Sequence, residues 1–167
     1  MNVVFQSMDV TEFVPSNAVI AGLKAGSKKQ VLHALAGRAA QLTGLDELML
    51  LEKLLERERL GSTGVGHGVA IPHAKFSQLK SVFGLVARLR RPVEFDSVDD
   101  EPVDLVFLLL APEGAGTAHL KALARVSRLL RNRIVCARLR EAKDSQAMYA
   151  VLRGTSEDLR EPAAAAR

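Results

Sequence analysis

Val31, Leu32, Leu35, Ala39 and Leu42 recur at the three- and four-residue spacing of one helix face, so the chain predicts a helix opened by the capping residue Ser27 and stopped by Gly44. A second helix is expected from Asp46, turning Leu48, Leu51, Leu54 and Leu55 inward before Glu56-Arg57-Glu58-Arg59. Ahead of both, Ala18 to Leu23 reads as a short apolar strand. Ser81 to Leu89 alternates as a strand, with Phe83, Leu85, Ala87 and Leu89 on one side. Val103 to Ala111 is a nearly unbroken apolar run with Asp104 as its only charge, the pattern of a central, doubly covered strand. Thr117 is positioned to cap a helix in which Leu120, Leu123, Ala124, Ser127 and Leu130 share the inward face and Lys121, Arg125 and Arg128 form a basic stripe. Ile134 to Arg140 and Ser145 to Leu152 read as two more short helices. Strands and helices mixed along one chain predict an α/β fold: a single-domain three-layer α/β/α sandwich with a small mixed β-sheet flanked by helices.

Composition narrows the classes without choosing one. The 167 residues are 48% hydrophobic and 25% charged, a globular balance for one domain. The longest apolar run, Leu105 to Pro112, is one strand long, so no membrane insertion is expected. The N-terminus lacks a basic segment followed by an apolar stretch, and one cysteine, Cys136, allows neither an internal disulfide nor a cysteine-built zinc site; a cytoplasmic protein is expected. The formal charge of +4 invites a nucleic-acid partner, but aromatics are 4% with no Trp, too few for a base-stacking platform. The charge is also divided: residues 92–113 hold seven acidic and no basic residues, and residues 114–140 hold seven basic and no acidic ones.

Packing least explains the stretch from Leu60 to Ala74, with glycines at 61, 64, 66 and 68 and then Val69-Ala70-Ile71-Pro72-His73. It is a poor helix and at most two short strands around a turn. Gly61 and Gly66 have the spacing of a nucleotide P-loop, but His67 and Gly68 stand where Lys and Ser/Thr belong. A dinucleotide fingerprint fails as well, since Val69 occupies the third glycine position. Glycine-rich backbone can still present N–H groups to an anion, and Pro72 restrains the chain leading into His73. A held histidine suits a nucleophile that must align with an incoming group; a surface or core histidine is the plain alternative. His33 falls opposite the apolar face of its helix, and His119 sits in a helix's first turn, where free N–H groups favour an anion.

Arg57-Glu58-Arg59-Leu60-Gly61-Ser62-Thr63-Gly64-Val65-Gly66-His67-Gly68-Val69-Ala70-Ile71-Pro72-His73 resembles the active-site signature of the mannitol/fructose-type enzyme IIA domains of the bacterial phosphotransferase system, above all their nitrogen-regulatory branch. The likeness continues through Pro102 to Phe107, Thr117 to Leu120 and Cys136 to Arg140, covering about residues 8–155. It implies one enzyme IIA type-2 domain over residues 1–155, with 156–167 a mobile C-terminal tail. It also implies a phosphoryl relay without a cofactor, in which an HPr-like nitrogen phosphocarrier phosphorylates His73 on Nε2. The charge state would then regulate target proteins, which in the family include potassium-transport and sensor-kinase components. Arg57 and His119 match the family's active-site arginine and second histidine, and Ser62, Thr63 and Gly64 would complete a phosphate-binding pocket. His67 departs from the family pattern, acidic in sugar-transport relatives and often Asn in nitrogen-regulatory ones, and is a candidate modulator. No carboxylate is evidently placed with His67, His73 and His119, so no metal is expected. Two other roles stay open: a sugar-specific enzyme IIA that passes phosphate to a IIB domain, and a binding module acting by stoichiometric contact without phosphorylation. Lys121 to Arg128 are expected near the His73 pocket as a docking surface for an acidic partner.

Overall fold

The computed structural model describes residues 9–154; the proposed tail at 156–167 lies outside them. The strands are β1 (Val19–Leu23), β2 (Gly64–Gly66), β3 (Val69–Ala70), β4 (His73–Phe76), β5 (Phe83–Val93) and β6 (Val103–Pro112). The helices are α1 (Lys28–Thr43), α2 (Glu47–Arg59), α3 (Thr117–Arg131), α4 (Arg133–Glu141) and α5 (residues 145–154). The predicted caps of α1 and α2 are physically in place. Ser27 Oγ accepts the Gln30 N–H, Asp46 accepts the Met49 N–H, and Gly44 closes α1 in the left-handed conformation at φ 80°.

β6 is the central strand, as its apolar run implies. It pairs antiparallel with β5 on one side; on the other it pairs parallel with β3 at Leu105 and Val106 and then with β4 from Leu109 to Pro112. β1 extends the sheet beside β5 and β2 beside β3. Every β6 residue from Val103 to Ala111 except Asp104 is buried, so both faces of the sheet are covered, and the architecture is an α/β sandwich around a mixed six-stranded sheet. Between β3 and β4 stands Pro72. It has no N–H to give the ladder, but its carbonyl accepts the Leu109 N–H at 2.9 Å and keeps this edge attached to β6. The short strands of the glycine-rich stretch thus extend one further than expected, because His73 itself opens β4.

Four local expectations are corrected. In α2, Leu48 is 63% exposed while Leu50 and Leu54 are buried, because the helix packs through the face one step around from the one chosen by counting leucines. In α3 the buried residues are His119, Ala122, Val126, Leu129 and Leu130, and Leu120 is 64% exposed. The apolar face is rotated because a histidine and an alanine take core positions that the leucine pattern assigned elsewhere. Thr117 is the first residue of α3 and does not cap it; Gly116 precedes the helix without a side-chain cap. β5 runs on to Val93, past Arg90 and Arg91, which lie exposed.

Candidate functional site

Two turns place the site. The end of α2 delivers Arg57, whose Nη1 donates to the Gly61 carbonyl at 2.8 Å. The segment then runs through β2, turns at His67-Gly68, returns through β3 and starts β4 at His73. His67 and Gly68 have φ of 56° and 77°, the positive values that both central residues of a tight type I′ hairpin turn require. His73 is half-buried, and its Nδ1 lies 2.8 Å from the carbonyl oxygen of Ile71. A carbonyl can only accept, so Nδ1 carries the hydrogen, and in the neutral ring Nε2 holds a free lone pair.

His73 lines an open cleft of about 670 Å³ together with Lys53, Glu56, Arg57, Leu60, Ala74, Lys75, Glu113 and His119. The His119 ring is 6.0 Å from that of His73, centroid to centroid, tilted by 43°. His119 is 6% exposed and its Nδ1 is buried without a protein partner. Burial pushes the pKa of both rings below the ordinary value of 6.5. Arg57 lowers His73 further, against the opposing Ile71 carbonyl and Glu58, while Lys75 and His73 lower His119. Two imidazoles whose neutral forms are favoured by burial stand beside Arg57, Lys53 and Lys75, although Glu56 and Glu113 also line the cleft and Glu113 pairs with Lys53 at 3.5 Å. They give a nucleophile and a hydrogen-bond donor where cations can meet an anion.

Arg57, His73 and His119 are therefore brought together. Ser62, Thr63 and Gly64 are not: they do not line the cleft, and the two hydroxyls and the Thr63 and Gly64 N–H groups are engaged inside the protein. Ser62 Oγ donates to Phe95 O and accepts the Gly64 N–H, while the Thr63 N–H and Oγ1 both bond the Glu58 carboxylate. A Cβ at Gly64 would stand 2.2 Å from Ser97 Oγ, so that glycine is required by close packing against the 95–100 loop. His67 is also elsewhere, at the hairpin tip. Its N–H donates to Asp99, its carbonyl accepts from Arg140, and its Nε2 contacts Arg133 Nη2 at 3.2 Å. It faces a second cleft, of about 450 Å³, with Val65, Ile71, Leu130 and Arg131. Among the described residues no group of three or more His, Cys, Asp or Glu side chains could hold a metal ion.

The basic stripe is likewise turned away. Lys121 and Arg125 line a third cleft with Glu12, Phe13 and Val82, and Arg125 is paired to Glu12 at 2.9 Å. The cations of the His73 cleft besides Arg57 are Lys53 and Lys75, which the sequence reading passed over. Lys53 was within its reach, since it precedes Arg57 by one helical turn on the same face of α2.

The phosphoenolpyruvate-dependent sugar phosphotransferase system EIIA 2 family matches over residues 12–154. A nitrogen regulatory protein of Bradyrhizobium diazoefficiens is 57% identical over 145 residues, 87% of this chain and 95% of the relative. The crystal structure of nitrogen regulatory protein IIA-Ntr from Neisseria meningitidis superposes with a TM-score of 0.81 at 33% identity, covering 86% of this chain and 98% of that one. The fructose-specific EIIABC component of Bacillus subtilis is 32% identical over 148 residues, 87% of this chain but 23% of that longer protein. Among the described residues no helix is long and apolar enough to cross a membrane. With a neutral histidine pair, an arginine and this match running through all of them, the chain belongs to the EIIA 2 family of the phosphotransferase system, among the IIA-Ntr nitrogen regulatory proteins.

Proposed function

We propose that this protein is a regulatory phosphoryl acceptor: His73 takes a phosphoryl group from an HPr-like carrier of the nitrogen-related phosphotransferase branch, and its charge state then governs binding to target proteins. The observation that carries the reading is the Nδ1···O=C contact to Ile71, which commits one ring nitrogen and leaves Nε2 bare in the cleft. In the transfer, the Nε2 lone pair attacks phosphorus as the bond from phosphorus to the donor's ring nitrogen breaks, and that electron pair returns to the donor. No proton has to leave His73. The hydrogen on Nδ1 stays, and the Ile71 carbonyl stabilises the charge that the ring gains. Arg57 and a neutral His119 would hold the phosphoryl oxygens, since such transfers depend chiefly on alignment and charge compensation. The phosphoryl group carries about −1.5 to −2 charge, and with the Nδ1 hydrogen retained the net change at the residue is about −1, enough to turn an attractive protein contact into a repulsive one.

Incubation with the upstream enzyme, the carrier and labelled phosphoenolpyruvate tests this directly. Stoichiometric label on the wild type and none on His73→Ala is expected; undiminished labelling of the variant would overturn it. The likeness to a fructose-specific component favours one second reading, a sugar-specific enzyme IIA that hands the group to a IIB domain. Rapid loss of label to such a IIB domain, with no acceptance from the nitrogen-branch carrier, would establish that role instead. A wild type that takes no label yet retains its targets would be the stoichiometric binding module.

A further inference from the structure

The pocket does not explain the pair formed by Lys28 and Glu58. Lys28 Nζ lies 2.7 Å from Glu58 Oε2, and the Glu58 side chain is only 6% exposed. Each charge stands at the unfavourable end of its helix: Lys28 is the first residue of α1, and Glu58 is in the last turn of α2. Helix dipoles oppose both placements, so helix stability does not account for them. What the carboxylate does is receive the next segment. It accepts the Thr63 N–H at 3.0 Å and the Thr63 hydroxyl. The Thr63 carbonyl accepts the Ile71 N–H at 2.9 Å, and the Ile71 carbonyl accepts Nδ1–H of His73 at 2.8 Å. An unbroken line of contacts therefore runs from an ion pair between two helices to the nitrogen that sets the tautomer of His73.

We propose that Glu58, anchored by Lys28, is a positioning residue that acts through Thr63 and Ile71 to hold His73 in its Nδ1–H tautomer, with Nε2 left bare. This deepens the phosphoacceptor reading and, for its effect on rate, rests on it. Thr63 is then a structural link and not a phosphate ligand, in keeping with its burial and its engaged donors. The adjacent residues Arg57 and Glu58 divide the work of one helix end: the first lines the cleft, and the second holds Thr63, whose carbonyl fixes the Ile71 N–H ahead of His73.

The test uses the full chain with 15N-labelled histidine, in which two-bond proton–nitrogen spectra report the protonated nitrogen of each ring. The wild type should show His73 with hydrogen on Nδ1. In Glu58→Gln and Thr63→Val the fraction with hydrogen on Nε2 should rise, and single-turnover phosphoryl acceptance should fall about tenfold, less than the roughly hundredfold that a misplacement of about 1 Å can cost. Thr63→Ser, which restores the hydroxyl, should recover both. If the Glu58 and Thr63 variants do not fold, Lys28→Met, at the more exposed partner, is read in the same spectrum and should shift the tautomer in the same direction. Wild-type His73 spectra in folded variants that lose only thermal stability would overturn the proposal. If the wild type accepts no phosphoryl group from any phosphohistidine donor, the phosphoacceptor reading fails while the tautomer measurement still decides the positioning role.

Discussion

His67 and His73 leave the same glycine-rich segment, and each has an arginine in its cleft, yet the two ends of the segment make them different chemical objects. His73 is half-buried at the start of a strand, with one ring nitrogen fixed by a backbone carbonyl and a second imidazole beside it. His67 is exposed at the hairpin tip, at positive φ, and is held mainly through its main chain: its N–H to Asp99 and its carbonyl to Arg140. Residue type is shared, so the difference lies in what the backbone does with each ring. At position 73 it selects a tautomer and sets the ring where burial lowers its pKa against the raising effect of the Ile71 carbonyl; at position 67 it uses the residue to turn the chain.

Replacing the two histidines separately gives the largest expected contrast. His73→Ala should abolish phosphohistidine formation, whereas His67→Ala should leave the stoichiometry of label unchanged; acid-labile label on the His73 variant would show that the comparison is drawn between the wrong residues. Within the His73 cleft, His119→Ala should slow single-turnover transfer about a hundredfold, the cost of losing one hydrogen-bond donor aimed at the reacting oxygens. His119→Gln, which keeps an N–H donor, should lose less. Equal loss in both variants would mean that His119 acts only by filling space.

The His73 side of the comparison also sets how stability depends on pH. The pKa of both His73 and His119 is lowered on folding, first by burial. Between the folded value and the ordinary 6.5 the unfolded chain binds more protons than the folded one, so stability rises with pH through that window. The contribution is fully present above 6.5 and is lost as pH falls through the folded values. A scan of melting temperature from about pH 7.5 down to about pH 5 should therefore decline more steeply in the wild type than in His73→Gln/His119→Gln. Parallel curves for the double variant would remove the burial argument.

How much of this was legible follows from the same contrast. The approach to His73 could be read because glycines, a proline and a histidine in that order have few purely structural uses, and the caps Ser27, Asp46 and Gly44 act locally, within three or four residues of where they stand. The inward face of α3 could not be read from leucines, since His119 and Ala122 occupy core positions whose burial is decided by β6, not by their own hydrophobicity. Ser62, Thr63 and Gly64 resembled anion ligands because free N–H groups and hydroxyls look alike in a sequence whether they meet a ligand or a carboxylate from the preceding helix. The acidic and basic stretches are divided along the sequence, but folding joins them in part, as in the pairing of Asp104 with Arg140 at 2.9 Å.

Charge offers a smaller effect that separates the clefts. Lys53 and Lys75 line the His73 cleft, and Lys121 lines another with the paired Arg125. Reversing Lys53 and Lys75 to Glu should slow transfer from the carrier several-fold at low salt and less at high salt, as expected for screened steering of an acidic partner. Lys121→Glu should change it by less than about twofold, since its cleft does not contain the acceptor. A larger effect at Lys121 would extend the docking surface along α3, as the sequence alone had suggested.

The smallest effect is expected at the hairpin tip and tests whether the two ends of the segment are independent. His67 adopts φ 56°, a conformation Asn tolerates better than His, and its contacts to Asp99 and Arg140 use the backbone and survive substitution. Only the exposed Nε2 contact with Arg133 is lost in His67→Asn. Less backbone strain against one lost surface contact should leave unfolding free energy within about 0.5 kcal/mol of the wild type and the transfer rate unaltered. His67→Val keeps neither advantage, because a β-branched side chain at positive φ costs about 1–2 kcal/mol. The decisive comparison is then rate, not stability: if His67→Asn alters transfer while its melting temperature holds, the tip communicates with the acceptor through Ile71, which borders the His67 cleft and holds the His73 ring, and position 67 becomes a modulator after all.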